Sequence, residues 1–310
     1  MRSLRSYLVN GLLRAFAKRR FDPATDLIAY RAHLQRLDER LYSPPEGVSL
    51  GHQNADGVYC EQIDAGGEPA PRVLLYLHGG GFFLRTPRLH ARLAARLATE
   101  LRCSALIPDY RLAPEHPFPA ASEDCFRTYR WLLERGVAAG DIVIAGDSAG
   151  GNLTLTTLFR ARDAGLPPPA CAICLSPGTD LSLGGVTLVS NERRDPMFRL
   201  QTLVIMKNAY IGGASPTEPL VSPIYGDFRG LPPVLFQAGD TELLLDHSTR
   251  AYERARRAGL RTQLSVWRGM PHVFQAFASL PESRRAIDEI GAFVREVAGW
   301  SAPAVSSHRG

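Results

Sequence analysis

The stretch Ile142–Leu153, Ile-Val-Ile-Ala-Gly-Asp-Ser-Ala-Gly-Gly-Asn-Leu, constrains this chain more than any other. Its opening run of β-branched apolar residues predicts a buried strand, and Asn152 to Arg162 is compatible with a helix. Between them lies Gly146-Asp147-Ser148-Ala149-Gly150, so a serine sits on a sharp strand-to-helix turn, the arrangement called a nucleophile elbow. Gly146, Gly150 and Gly151 fit that geometry, because the strand and the helix nearly touch there. A helix beginning just after Ser148 aims its free N–H groups and the positive end of its dipole at any negative charge that forms beside the serine.

A second stretch complements the first. Arg72 to Leu77 is a continuous apolar run suited to a strand covered on both faces. It ends in His78-Gly79-Gly80-Gly81-Phe82. Consecutive glycines after a strand let the backbone approach a ligand and point its N–H groups inward, which is what a developing oxyanion needs. His78 precedes the serine in chain order and is read as a scaffold of this loop, not as a base. A serine hydroxyl becomes a useful nucleophile only when a base takes its proton and a third group fixes that base. Of the histidines after Ser148, His308 lies in a tail, His247 stands at a helix start, and His272 follows a predicted strand in Gly269-Met270-Pro271-His272. His272 is the candidate base. Asp240, Glu242 and Asp246 share the loop after the strand ending at Ala238, and the residues alone leave the acid open among them.

Around these stretches the chain alternates strands and helices, which predicts a mostly parallel sheet with helices on both faces. Strands are expected near Arg72–Leu77, Ala105–Pro108, Ala170–Leu175, Pro233–Ala238 and Gln263–Trp267, preceded by an antiparallel pair near Val48–His52 and Val58–Ile63. Gly66-Gly67-Glu68-Pro69 reads as a loop. Residues 1–45 form a helical N-terminal cap segment and 46–300 the main domain, interrupted by a cap insertion at about 180–225. Residues 301–310 read as a flexible tail. Met197, Phe198, Met206 and Tyr210 would furnish an apolar lid.

In the first helix Leu4, Leu8, Leu12, Leu13 and Phe16 form an apolar stripe beside Arg2, Arg5, Arg14, Lys18, Arg19 and Arg20. The stripe is expected to pack on the rest of the protein; lying on a membrane surface is the alternative. At 310 residues, 45% hydrophobic and 22% charged, with no apolar run near 18 residues, the chain reads as globular with no stable membrane insertion. A net charge of +5 without clustered basic and aromatic residues argues against nucleic acid. Five cysteines, an odd number, fit a reducing compartment, here the cytoplasm. Cys171-x-x-Cys174 falls within a predicted strand, where positions three apart face opposite ways, so neither a metal nor any other cofactor is called for.

The His78–Gly81, Asp109–Pro114, Gly146–Gly151 and Gly269–His272 motifs, in this order, together with Leu220–Pro223 and Gly230–Pro233, resemble the hormone-sensitive-lipase family of bacterial carboxylesterases. The likeness extends over residues 45–300. It implies an α/β-hydrolase fold with a helical cap, Ser148 as nucleophile, His272 as base, and the N–H groups of Gly80, Gly81 and Ala149 as oxyanion donors. The family's usual acid stands in an Asp-Pro-Leu-Arg-Asp pattern. Laid without gaps on Glu242-Leu243-Leu244-Leu245-Asp246, that pattern implies Glu242, a departure from the commoner aspartate. The resemblance further implies a small-molecule ester of short-to-medium acyl chain as substrate, and a homodimer through the edge of the last strand. Rival readings are a lactonase, amidase or deacetylase on the same site, or a binding protein such as the plant gibberellin receptors, which are similar but have no working histidine.

Overall fold

The computed structural model describes residues 2–18, 25–65 and 71–300. Arg19 and Arg20, the loop 66–69, His308 and the tail 301–310 lie outside the described residues.

Eight strands form one sheet: β1 (Ser49–Ala55), β2 (Val58–Asp64), β3 (Val73–Leu77), β4 (Ser104–Pro108), β5 (Ile142–Asp147), β6 (Cys171–Leu175), β7 (Val234–Gly239) and β8 (Thr262–Trp267). Their spatial order is β1-β2-β4-β3-β5-β6-β7-β8. β2 runs antiparallel to both β1 and β4, and every later pairing is parallel. The chain goes from β3 outward to β4 on one side, then crosses back to place β5 on the other. The connections leaving β3 and β5 therefore diverge, and a crevice opens beyond their C-terminal ends, where open α/β sheets bind ligands.

Period-two alternation builds the two layers. Leu75, Leu77, Ile142, Ile144, Ala172, Cys174, Val234 and Phe236 face one core, which is covered by α4 (Ala120–Glu134), α5 (Ala149–Asp163) and α8 (Leu245–Arg257). Leu74, Tyr76, Val143, Ala145, Cys171, Ile173 and Leu235 face the other, under α3 (Pro87–Leu101) and α9 (Pro281–Ala298). Neighbouring residues of one strand thus serve opposite cores, which is why the central strands read as unbroken apolar runs. All five cysteines are buried free thiols. Cys171 and Cys174 lie in opposite layers of β6, as their spacing requires.

Over the C-terminal end of the sheet lie α1 (Leu4–Phe16) and α2 (Leu27–Leu41) from the N-terminus, and α6 (Thr187–Ser190) and α7 (Leu200–Ile211) from the insertion. Buried Asp38 of α2 accepts from the N–H groups of Arg88 and Leu89, at 2.8 and 3.0 Å, and so satisfies the open N-terminus of α3. Arg31 of α2 donates to the carbonyls of Phe83 (2.5 Å) and Ala113 (2.6 Å) and binds both carboxylate oxygens of Glu115 at 2.8 Å. This one side chain ties the helix to the glycine loop and to the proline-rich loop after β4.

The first helix corrects the expectation for its apolar stripe. Leu4, Leu8, Leu12 and Phe16 are 83, 69, 60 and 67% exposed, whereas the buried residues of α1 are Ser6 and Asn10. Specific polar contacts set this orientation. The Asn10 amide donates to the Gly269 carbonyl at 2.9 Å, and Ser3 binds the Glu282 carboxylate through its backbone N–H (2.7 Å) and hydroxyl (2.9 Å). Tyr210 also departs from its expected place. It is fully buried and stacks on Phe82 at 3.6 Å between ring centres, so it belongs to the core and not to a lid wall. No helix among the described residues is long and apolar enough to cross a membrane.

Candidate active site

Ser148 follows the last residue of β5 and caps α5 with φ +53° and ψ −116°, a conformation that a side-chain-bearing residue adopts only when its surroundings impose it. They do so here through hydrogen bonds on both sides of the residue. Its N–H donates to Leu175 O at 2.8 Å, and its carbonyl accepts from Gly178 (2.9 Å) and Asn152 (3.2 Å). A Cβ added at Gly150 would lie 1.8 Å from the Leu77 carbonyl oxygen, so only glycine lets the first turn of α5 pass this close to β3.

The residue before the serine holds the glycine loop. Asp147 is buried, and its Oδ1 accepts from Gly79 N–H at 2.9 Å and from the Tyr76 hydroxyl at 2.5 Å. Gly80 has φ +116°, and its carbonyl accepts from Leu84 (3.0 Å) and Phe83 (3.2 Å), which closes a turn. Among the described residues no backbone carbonyl takes the N–H groups of Gly80, Gly81 or Ala149. All three residues line the same cavity as Ser148. His78 is fully buried between Tyr110 and His90, with ring centres at 4.1 and 5.1 Å, and its Nδ1 bonds the Gly79 carbonyl at 2.8 Å. Burial holds its pKa well below the ordinary histidine value. It is a neutral wedge beneath the loop.

His272 Nδ1 lies 2.6 Å from Glu242 Oε2. The carboxylate is fully buried, and its other oxygen accepts from the Ser176 hydroxyl (3.0 Å) and the Gly239 N–H (2.5 Å). Val273 N–H donates to Ser176 Oγ at 3.1 Å, which leaves the hydroxyl proton free for Glu242. With Nδ1–H committed to the carboxylate, the neutral imidazole carries its lone pair on Nε2. That nitrogen is buried without a partner among the described residues, on a ring that lines the cavity with Ser148. Burial acts to lower the His272 pKa, but the hydrogen bond and charge of Glu242, helped by Asp195 and Asp147, prevail and raise it. Phe198 of the insertion meets the ring edge-on at 5.0 Å and shields it from water.

The other acid candidates are engaged elsewhere. Asp240 Oδ1 accepts from Gly269 N–H at 2.6 Å, and Asp246 Oδ2 from Thr187 N–H at 2.9 Å. His247 lies in the first turn of α8, fully within the protein. Its Nδ1 accepts from Asp180 N–H at 3.2 Å, and burial pushes its pKa down to about 4. Sequence reasoning missed three supporting groups. Ser176 is one. Asp147 is another, and it was visible only as the variable position of the elbow. The third is buried Asp195, which accepts from the N–H groups of Met197, Phe198 and Leu243 at 2.7, 2.9 and 2.7 Å and so joins the insertion to the acid's loop. Polar residues beside strand ends gave no separate signal for these roles.

The cavity over these groups measures about 440 Å³ and is walled mainly by apolar side chains, among them Phe83, Met197, Phe198, Leu203, Met206 and Phe277. Small-ligand sites span roughly 300–1,000 Å³.

A model of the alpha/beta hydrolase fold matches residues 74–276. An acetyl-hydrolase of Streptomyces hygroscopicus is 40% identical over 273 residues, 88% of this chain and 89% of that protein. Among solved structures, an esterase from the bacterial hormone-sensitive lipase family shares 38% identity with a TM-score of 0.88, over 96% of this chain and 100% of its own. EstE5, soaked with p-nitrophenyl butyrate, shares 35% identity with a TM-score of 0.89, over 96% of this chain and 99% of its own.

Proposed function

This chain belongs to the hormone-sensitive-lipase branch of the α/β-hydrolase family and is a carboxylic ester hydrolase, and from that premise we propose that it cleaves esters of short-to-medium acyl chains through an acyl-enzyme on Ser148. The observation that carries this reading is the pairing of His272 Nδ1 with Glu242 at 2.6 Å, which leaves Nε2 unpaired beside the cavity that Ser148 lines.

As Ser148 Oγ attacks the ester carbonyl carbon, His272 Nε2 takes the hydroxyl proton. The carbonyl π pair moves onto oxygen, where the N–H groups of Gly80, Gly81 and Ala149 donate to it; each such donor contributes ~10²–10³ in turnover. Glu242 stays ionised, keeps Nδ1–H in place and stabilises the imidazolium. The tetrahedral species collapses, the carbon–alkoxide bond breaks, and His272 passes its proton to the leaving oxygen. Water then gives a proton to His272 and attacks the acyl carbon. Ser148 Oγ departs, recovering the proton, and the free acid leaves. The cavity volume and the likeness to an acetyl-hydrolase and to an esterase soaked with a butyrate ester support the short-to-medium range.

Initial rates on p-nitrophenyl esters from acetyl to dodecanoyl, with Ser148→Ala as the blank, test this. The expected profile peaks at short chains and vanishes in the variant. Rates no higher than the blank at every length, or undiminished in the variant, would overturn the proposal.

A further inference from the structure

The outward face of α1 has no use in the site just described. Leu4, Tyr7, Leu8, Leu12 and Phe16 are 57–83% exposed, the largest cluster of solvent-facing apolar side chains on one element among the described residues. At the ~100° helical step, Arg5 and Arg14 fall on opposite flanks of that face. Both are exposed, and each donates to a backbone carbonyl, Arg5 to Ser279 (3.1 Å) and Arg14 to Arg194 (3.0 Å). Arg2 lies over the Tyr7 ring at 3.9 Å. None of the three is in an ion pair among the described residues, and α1 contains no acidic residue, so the positive charge is uncompensated. The nearby carboxylate, Glu282, is buried and already held by Ser3.

The stripe is continuous with the catalytic cavity. Leu4, Leu8, Leu12 and Phe16 recur at four-residue spacing, and Phe16 and Ala17 help wall the cavity that Ser148 lines. We propose that α1 is an interfacial helix by which the enzyme seats on an anionic phospholipid bilayer, with its apolar stripe in the headgroup–acyl boundary and its arginines on the lipid phosphates. The cavity mouth is then held at the surface from which a lipophilic ester would enter. Charge selects this occupant. A neutral apolar partner would gain nothing from the flanking arginines, and a second copy of the same face would set arginine against arginine. The inference concerns where the enzyme works and is independent of the acyl length proposed above.

The test is co-sedimentation of the full chain, without substrate, with phosphatidylcholine vesicles and with vesicles that also contain phosphatidylglycerol. Binding is expected only to the anionic vesicles and should weaken with salt. Leu8→Glu/Leu12→Glu should reduce it at least about tenfold, and Arg5→Gln and Arg14→Gln by about fivefold each. Neither leucine lines the cavity, so the double variant should hydrolyse a soluble acetate ester at the wild-type rate, which also shows that it is folded. Three results would overturn the proposal: no binding by the wild type, equal binding by the leucine variant, or a wild-type oligomer that the same variant turns into a monomer.

Discussion

Glu242→Gln is the sharpest probe of the site, because the structure dictates how the amide must sit. In the wild type, Oε1 accepts two donors, the Ser176 hydroxyl at 3.0 Å and the Gly239 N–H at 2.5 Å, while Oε2 accepts from His272 Nδ1 at 2.6 Å. A glutamine must keep its oxygen where two donors converge. Its NH₂ group is then turned toward Nδ1. Donor facing donor is resolved only if Nδ1 gives up its proton, which moves the proton to Nε2, the atom that must accept from Ser148. The variant would keep its volume and packing yet hold the base in the wrong tautomer, with an expected loss of ~10³–10⁴ in kcat and little change in KM.

The same substitution has a pH signature. The base acts when neutral, so kcat/KM rises as pH increases through the His272 pKa. Glu242 holds that pKa above the ordinary histidine value against the effect of burial. The acid limb of the wild-type profile should accordingly lie above pH 6.5, and in Glu242→Gln the residual activity should show a limb displaced to lower pH, since only Asp195 and Asp147 then oppose the effect of burial. Initial rates on p-nitrophenyl butyrate across pH measure both effects. Retention of more than about a tenth of wild-type kcat, or an unmoved limb, would refute the tautomer argument. Asp240→Asn losing as much as Glu242→Gln would move the acid's role to Asp240.

Three further substitutions probe the scaffold. Ser176→Ala removes one donor from Glu242 and leaves Val273 N–H unpaired; kcat should fall about 10- to 100-fold with KM unchanged, since Ser176 does not line the cavity. Gly150→Ala would set a methyl group 1.8 Å from the Leu77 carbonyl oxygen, an atom fixed by the sheet, so urea unfolding should show a loss of more than ~3 kcal/mol or no folded protein. Arg31→Ala removes the tie between α2 and two loops of the site; about 1–2 kcal/mol of stability should be lost, with KM rising more than kcat falls, as read by thermal melts and steady-state kinetics.

The serine elbow was legible because its strain and close packing leave few residue choices at Gly146, Ser148 and Gly150. A constraint that excludes side chains leaves a mark in the sequence. The alternation of strands and helices was legible for a similar reason, since strands buried on both faces must be apolar throughout. The choice among Asp240, Glu242 and Asp246 was not of this kind. All three are carboxylates within seven positions, and what separates them is where each points once the chain leaves β7 and α8 begins at Leu245. Asp240 turns to Gly269, Asp246 to Thr187, and only Glu242 reaches His272. Family resemblance indicated Glu242; the residues themselves did not.

The orientation of α1 exposes a different limit. Hydrophobic periodicity tells which face of a helix is apolar, and the usual inference that this face is covered adds an assumption about what is available to cover it. Here the surface beneath the helix offers a carbonyl at Gly269 and a carboxylate at Glu282, and these select the side bearing Ser3, Ser6 and Asn10. An unpaired carbonyl under a leucine stripe would cost about 1–3 kcal/mol, and an unpaired carboxylate more. Turning the stripe outward in water instead forgoes its burial, worth roughly 1.5–3 kcal/mol for each large side chain. An apolar surface pressed against the outer face would add the burial term to the orientation that already satisfies the polar one, so contact with lipid reinforces the arrangement that the protein adopts alone.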